Sequence, residues 1–288
     1  VGLYRLETSI DALVAPVLVA AFDGWVDAAG AASAAATRLA ADAQVIATFE
    51  PDLLFDYRSR RPVLDIIDGT PTGLDWPSLA IRKTTAGGRD LLILHGAEPD
   101  FRWRELGEDL LELCLSLGVV EWVSLGAIPA AVPHTRPVGV LATATSDDLL
   151  HEDETKGPPG LLRVPGACLS AVEMSVTGSG IPAVGFFAQV PHYVAGPFTP
   201  ATLALLRHLS RHLHFELGLD DLEKEADSQR ERLDALVGSD DEIREALERL
   251  EEANDAEIPS GDQLAAEIER YLRNRGTGEG GGTIPPTG

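Results

Sequence analysis

The chain has 288 residues, 44% of them apolar and 24% charged, enough for one sizeable α/β core with an appendage. Its 46 acidic and 23 basic side chains leave a formal charge of −23. Such a field repels phosphate backbones and anionic lipid, which excludes nucleic acid and membrane surfaces as partners.

Cys114 and Cys168 are the two cysteines, each inside an apolar stretch, so a reducing compartment and a cytoplasmic location are expected. Residues Val1 to Ile10 lack a cationic start followed by an apolar stretch, so no signal peptide is expected. No apolar run approaches the roughly 18 residues a membrane span needs.

Short apolar runs alternate with helical patterns along the chain. PVLVAAF (Pro16 to Phe22) predicts a buried strand, and the alanine-rich segment Asp27 to Ala40 predicts a helix with Asp27 as N-cap. QVIATFE (Gln44 to Glu50) and PVLDIID (Pro62 to Asp68) read as strands, and DLLILHG (Asp90 to Gly96) as a buried one. A helix is expected from Arg104 to Leu117, with Leu106, Leu110, Leu113 and Leu117 on one face and Gly118 as its stop. VVEWVSLGAI (Val119 to Ile128) and VGVLATAT (Val138 to Thr145) are strand patterns, and the charged segment His151 to Pro165, rich in Pro and Gly, is a loop. Cys168 to Gly178 reads as a helix and Ala183 to Val190 as a strand. The next helix should open on Thr199 as N-cap with Pro200 following, be stapled by Phe198 and Leu203, and end at Gly218.

From Glu216 to Arg275 there are 20 acidic and 8 basic residues, about half of the net charge. Helices are predicted over Leu219 to Leu236, Glu242 to Ala253 and Gln263 to Asn274, with Ser239 and Glu242 forming a capping box. Leu219, Leu222, Ala226, Leu233 and Leu236 make a narrow stripe that must pack on this domain or on a neighbouring subunit. The expected division is an α/β core over 1–217, a helical appendage over 218–275 and a flexible glycine-rich tail over 276–288.

Motifs for nucleotide, nucleophile and metal chemistry are missing. There is no Gly-Lys dipeptide for a Walker A loop, no GxSxG elbow and no HExxH pair. Gly178, Gly180 and Ala183 spell GxGxxA, but they precede a strand and Pro182 interrupts them. His208 and His212 stand four apart on one helix, as half a metal site would; a pair near a positively favoured helix C-terminus explains them better. No metal or cofactor is expected.

Four polar clusters each follow a predicted strand: Asp23, Gly24, Trp25 and Asp27; His95, Glu98, Asp100, Arg102 and Trp103; His134, Thr135 and Arg136; His192 and Tyr193. In parallel sheets the carboxyl ends of the strands share one edge, so these clusters could meet in a binding crevice there. Each has a structural alternative: the aspartates cap a helix, the histidines bond backbone carbonyls, the arginines neutralise carboxylates and the tryptophans pack in the core.

The strings FDGWVDAAG, LHGAEPDFRW, GAIPAAVPHTRP and VPHYVAGPFTPATLALLRHL, in that order from about Val17 to Leu217, resemble the signature blocks of the proteasome assembly chaperone 2 family. The acidic extension is similar to that of actinobacterial members. The resemblance implies a three-layer α/β sandwich, phosphorylase- or hydrolase-like, with a mostly parallel or mixed sheet plus the acidic helical appendage. It implies ATP-independent assembly work, self-association as a homo-oligomer (a trimer in the simplest case) and proteasome α subunits as candidate partners. Such chaperones dock through a terminal hydrophobic–tyrosine–any tripeptide, whereas this sequence closes on Pro286-Thr287-Gly288, so docking by that route is not expected. Two functions from different classes stand at this point. One is a non-catalytic assembly or interaction protein; the other is a small-molecule protein or enzyme that takes a nucleoside-like or carboxylate ligand in the strand-end crevice.

Overall fold

The computed structural model describes residues 2–8, 12–237 and 241–256. In chain order its elements are β1 (Tyr4–Leu6), β2 (Val17–Asp23), α1 (Ala31–Leu39), β3 (Gln44–Phe49), α2 (Pro51–Leu54), β4 (Val63–Ile67), β5 (Thr70–Asp75), β6 (Leu79–Ala86) and β7 (Arg89–Ala97). Then come α3 (Trp103–Leu117), β8 (Glu121–Ala130), β9 (Val140–Ala144), β10 (Thr155–Lys156), α4 (Cys168–Thr177), β11 (Ala183–Pro191), α5 (Thr199–Leu213), α6 (Asp220–Val237) and α7 (Asp241–Ala256).

Nine strands form one mixed sheet in the order β1-β3-β6-β7-β2-β8-β11-β9-β10. Its centre, β7-β2-β8-β11, is parallel, and the flanking pairs β6/β7 and β11/β9 are antiparallel. Alternation along the central strands decides the layers. Val17, Val19 and Ala21 of β2 face the layer of α1 and α5, while Leu18, Ala20 and Phe22 face the layer of α3 and α4. Leu91 and Ile93 against Leu92 and Leu94 divide β7 in the same way. The result is the expected three-layer sandwich.

Small side chains set the close approaches. Ala31, Ala32, Ala35 and Ala36 are fully buried where α1 meets the sheet, and the Thr202 hydroxyl donates to the Ala31 carbonyl at 3.2 Å. A Cβ on Gly107 of α3 would lie 2.4 Å from Oγ of Ser175 on α4, so these helices cross with no room for a side chain there.

Several boundaries differ from expectation. Helix α1 opens at Ala31, after a tight turn in which Ala29 and Gly30 both take positive φ; Asp27 caps it all the same, its Oδ1 accepting from the Ala32 and Ser33 amides at 2.7 and 3.3 Å. Thr199 is the first helical residue of α5 instead of its cap, and Gln229 Oε1 on α6 accepts its otherwise unpaired amide at 2.8 Å. The same helix stops at Leu213, not at Gly218. His214 takes a left-handed conformation, and the Phe215 amide returns to the Ser210 carbonyl at 3.1 Å, which turns Phe215 back into the core.

Two hairpins were not anticipated as such. Strands β6 and β7 join through Gly87-Gly88 with φ of 58° and 77°, and β4 and β5 through Asp68-Gly69 with φ of 50° and 80°. Both are two-residue loops of the kind whose twist matches antiparallel strands. The predicted strand over Pro62 to Asp68 exists, but β4 pairs only with β5 in a separate two-stranded sheet, exposed at every residue.

On the acidic extension, Leu219, Leu222 and Ala226 are buried in the same cluster as α1 and α5, and Arg38 grips Asp221 at 2.6 Å. The first half of the stripe therefore packs on the chain's own core, while Leu236 is 65% exposed. The expected helix over Gln263 to Asn274, the capping serine Ser239 and the tail lie outside the described residues. Among the described residues no helix is long and apolar enough to cross a membrane.

Candidate functional site

Because β7, β2, β8 and β11 are parallel neighbours, their carboxyl ends leave the sheet side by side, and all four polar clusters stand at that edge. Their side chains divide into two groups.

Over β2 and β7 the organiser is Glu98. Its Oε2 accepts the Trp25 amide at 2.6 Å and its Oε1 the Cys168 amide at 2.7 Å, while its own amide donates to the Asp23 carbonyl at 3.0 Å. The carboxylate thus ties the β2 loop to the first turn of α4, where a negative charge is favoured. Gly24 is required by that approach, since a Cβ there would sit 2.1 Å from Glu98 Oε2. Asp23 receives Arg60, which donates to its carboxylate and to its carbonyl, both at 2.6 Å. Trp103 Nε1 donates to the Pro99 carbonyl at 2.6 Å, and Arg102 pairs with Glu105 of its own helix at 3.1 Å. Between Trp25, Trp103, Arg60 and Asp100 lies an open cleft of about 460 Å3. His95 takes no part in it. Arg82 Nε on β6 donates to His95 Nε2 at 3.1 Å, and burial followed by the Arg82 charge lowers the imidazole pKa, which keeps the ring a neutral acceptor.

Over β8 and β11 the organiser is His134, whose side chain is fully buried. Tyr193 Oη accepts the His134 amide at 2.7 Å and lies 2.8 Å from Nδ1; Asp234 Oδ1 of α6 lies 3.1 Å from Nε2. Burial pushes the Tyr193 phenol up to about 12, so its O–H stays protonated beside Nδ1, while the Asp234 carboxylate faces Nε2; which group donates on each contact follows the ring's tautomer. This chain holds the His134 loop, Tyr193 and α6 against one another. Arg136 reaches α7 instead of the crevice, with Nε and Nη2 at 3.0 and 2.7 Å from the two Asp255 oxygens and Nη1 3.4 Å from Glu251; Thr135 also donates to Glu251. His192 is exposed, its Nδ1 3.2 Å from the Ala130 carbonyl and its ring edge-on to Tyr193. Asp27, behind this edge, is buried with Oδ2 unpartnered, and desolvation raises its pKa.

Sequence reasoning missed Arg60, Arg82 and the three carboxylates Asp234, Glu251 and Asp255 as partners of this edge. Glu251 and Asp255 stand four apart, one face of a helix, and that spacing was the available signal. Also missed was an apolar groove of about 220 Å3 on the α4 side of β8, β11 and β9, walled by Trp25, Ile128, Leu141, Leu162 and Val164. Its floor is Phe187, whose ring lies over two glycines: a Cβ on Gly126 or Gly185 would come within 2.4 or 2.8 Å of it.

Among the described residues no group of three or more His, Cys, Asp or Glu side chains could hold a metal ion. His208 bonds the Ala204 carbonyl at 2.9 Å and His212 meets Glu121 at 2.6 Å, so the two do not converge.

Fold and edge together define a three-layer α/β sandwich whose strand-end groups hold its loops and its acidic helices in place. Residues 21–237 match the model of the PAC2 family, and the chain belongs to that family. It is 36% identical to the proteasome-assembly chaperone homologue Rv2125 of Mycobacterium tuberculosis, with a TM-score of 0.73 over 80% of this chain and 99% of that one. The protein of unknown function Rv2714 from the same organism is 32% identical and superposes with a TM-score of 0.87, covering 94% of this chain and 96% of the other. The archaeal proteasome activator PbaB of Pyrococcus furiosus, at 15% identity and a TM-score of 0.62 over 81% of this chain and 97% of that one, shares the fold. Among curated proteins no match is found.

Proposed function

We propose that the protein is an ATP-independent, non-catalytic assembly chaperone that works as a homo-oligomer, with proteasome α subunits as its client. The observation that carries this reading is the 36% identity, over four fifths of the chain, to a protein described as a proteasome-assembly chaperone homologue. Supporting it, the groups that could do acid–base chemistry at the strand ends hold structural partners instead: Glu98 two backbone amides, His95 a guanidinium, and His134 a phenol and a carboxylate. The test is assembly of recombinant proteasome α subunits from the same host, followed on native gels with and without the protein. A stoichiometric complex or faster ring formation is expected; neither binding nor any change in assembly would sink the reading.

The cleft between Trp25 and Trp103 favours a second reading, a small-molecule site, because two tryptophans, Arg60 and Asp100 border one concavity. Thermal-shift screening with nucleosides and carboxylates checks it; stabilisation that disappears in Arg60→Ala supports it, and a flat response counts against it.

A further inference from the structure

A polar concavity also lies at the opposite edge of the sheet, where the parallel strands begin. Arg89, the first residue of β7, and Glu121, the first of β8, line a cleft of about 310 Å3 with Asp148, His151, His212 and His214. The His151 ring stands edge-on to His212 at 6.4 Å and to His214 at 6.2 Å. Glu121 Oε1 lies 2.6 Å from His212 Nε2, and Phe186 meets the same ring edge-on at 5.6 Å. His214 is exposed on the left-handed cap of α5. The His151 amide donates to Glu154 Oε2 at 3.1 Å, and Arg211 holds Glu154 and Asp153 at 3.0 and 2.6 Å, which fixes the loop that carries this ring.

What these groups lack is an anion. Among the described residues the His151 and His214 rings have no hydrogen-bond partner, and the Arg89 guanidinium has no carboxylate. In a chain with 46 acidic side chains, an arginine left unpaired beside three imidazoles leaves its donors to a group from outside. Imidazole changes charge between about pH 5 and 8. With neutral rings, Arg89 against Glu121 and Asp148 leaves the lining at −1; with all three rings protonated it reaches +2. The charges packed around the cleft are satisfied among themselves: Arg211 with Asp153 and Glu154, Lys156 with Asp147 at 2.8 Å, and Lys83 with Asp90 at 3.2 Å. Asp148 accepts the Ser146 hydroxyl. The C-terminus of α5 adds its own pull toward protonated rings at His212 and His214.

We propose that this cleft binds a tetrahedral oxyanion, a phosphate or sulfate group, between Arg89 and the rings of His151, His212 and His214, and that it does so as the rings protonate. A guanidinium fork and imidazolium N–H groups are charged donors suited to the oxygens of such an anion. A small dianion meets chiefly the local lining, because the field of the distant carboxylates is screened beyond about 8 Å at physiological salt.

The experiment is isothermal titration calorimetry of the full chain with sodium sulfate, whose charge is constant, at about pH 5.5 and about pH 7.5 and at fixed ionic strength. The bound anion favours the protonated rings, so binding takes up protons and must tighten as pH falls through the imidazole range. At least about tenfold tighter binding is expected at the lower pH. Arg89→Gln and His151→Asn should each weaken it there by about tenfold, with melting unchanged, while Arg5→Gln on β1 should bind as the parent does. Inorganic phosphate and phenyl phosphate then separate the sources: equal affinity assigns the free ion, and a tighter ester assigns a phosphorylated small molecule. Affinity that does not change with pH, absence of binding at both pH values, or parental affinity in either cleft variant overturns the proposal.

Discussion

Arg136 and Asp255 stand 119 positions apart and meet through two parallel N–H···O contacts of 3.0 and 2.7 Å. This fork, with Glu251 beside it at 3.4 Å, is where α7 meets the carboxyl edge of the sheet. Planar two-point pairing fixes direction as well as proximity, so the helix is set at one angle over β8.

Replacing Arg136 with alanine should therefore release α7 and leave the fold intact. The pair is solvent-exposed, and such pairs contribute little to global stability. Hydrogen exchange is expected to quicken across 241–256 while the melting temperature hardly moves. Unchanged exchange in α7, or a large drop in melting temperature, would show that the helix is held otherwise.

Acidification should detach the extension before the core yields. Hydrogen bonding to Arg136 holds the Asp255 carboxyl below its ordinary range, and Arg38 does the same for Asp221. Carboxylates with depressed native pKa values contribute stability above about pH 4, the unfolded value, and lose it as pH falls through the native one. Asp27 and Glu173 have the opposite sign. Burial raises both, so their native forms take up protons first and acid relieves the core of buried charge. Exchange measured at stepped pH should show α7 losing protection below about pH 4 with the central strands still protected. Simultaneous loss in both regions would contradict this.

The floor of the groove gives a packing test. In Gly126→Ala the new methyl would lie 2.4 Å from the Phe187 ring, which must move or strain. The cost should be about 2 kcal/mol by urea unfolding. Adding Phe187→Ala removes the obstacle, so the double variant should be less destabilised than the sum of the singles by about 1 kcal/mol. The Val26 carbonyl, 3.2 Å from the same methyl, sets the limit of the rescue. Strict additivity would mean that the ring does not constrain Gly126.

Much of the architecture was legible in local patterns. A run such as VLVAAF, short and apolar at every position, reads as a strand with both faces covered, and β2 is one. Leu106, Leu110 and Leu113 at helical spacing are buried as read, and Gly118 ends α3 in the left-handed conformation. The Asp68-Gly69 and Gly87-Gly88 pairs were equally legible signals for β5 and β6, and their strands were overlooked. Position at the shared edge was also legible, because parallel strand ends meet wherever their loops lie in sequence.

The sequence by itself determined most of the elements, their α/β alternation and the edge at which Trp25, His95, His134 and His192 stand, because these follow from periodicity and strand direction, which are local. Only the tertiary structure decided whom each polar group meets. His134 faces Asp234 a hundred residues away, Glu98 faces the Cys168 amide seventy residues away, and the β4–β5 hairpin leaves the sheet that its apolar pattern suggested it would join. The reason is that an ion pair or a hairpin's direction depends on the packing of distant segments against one another, which no neighbouring residue encodes.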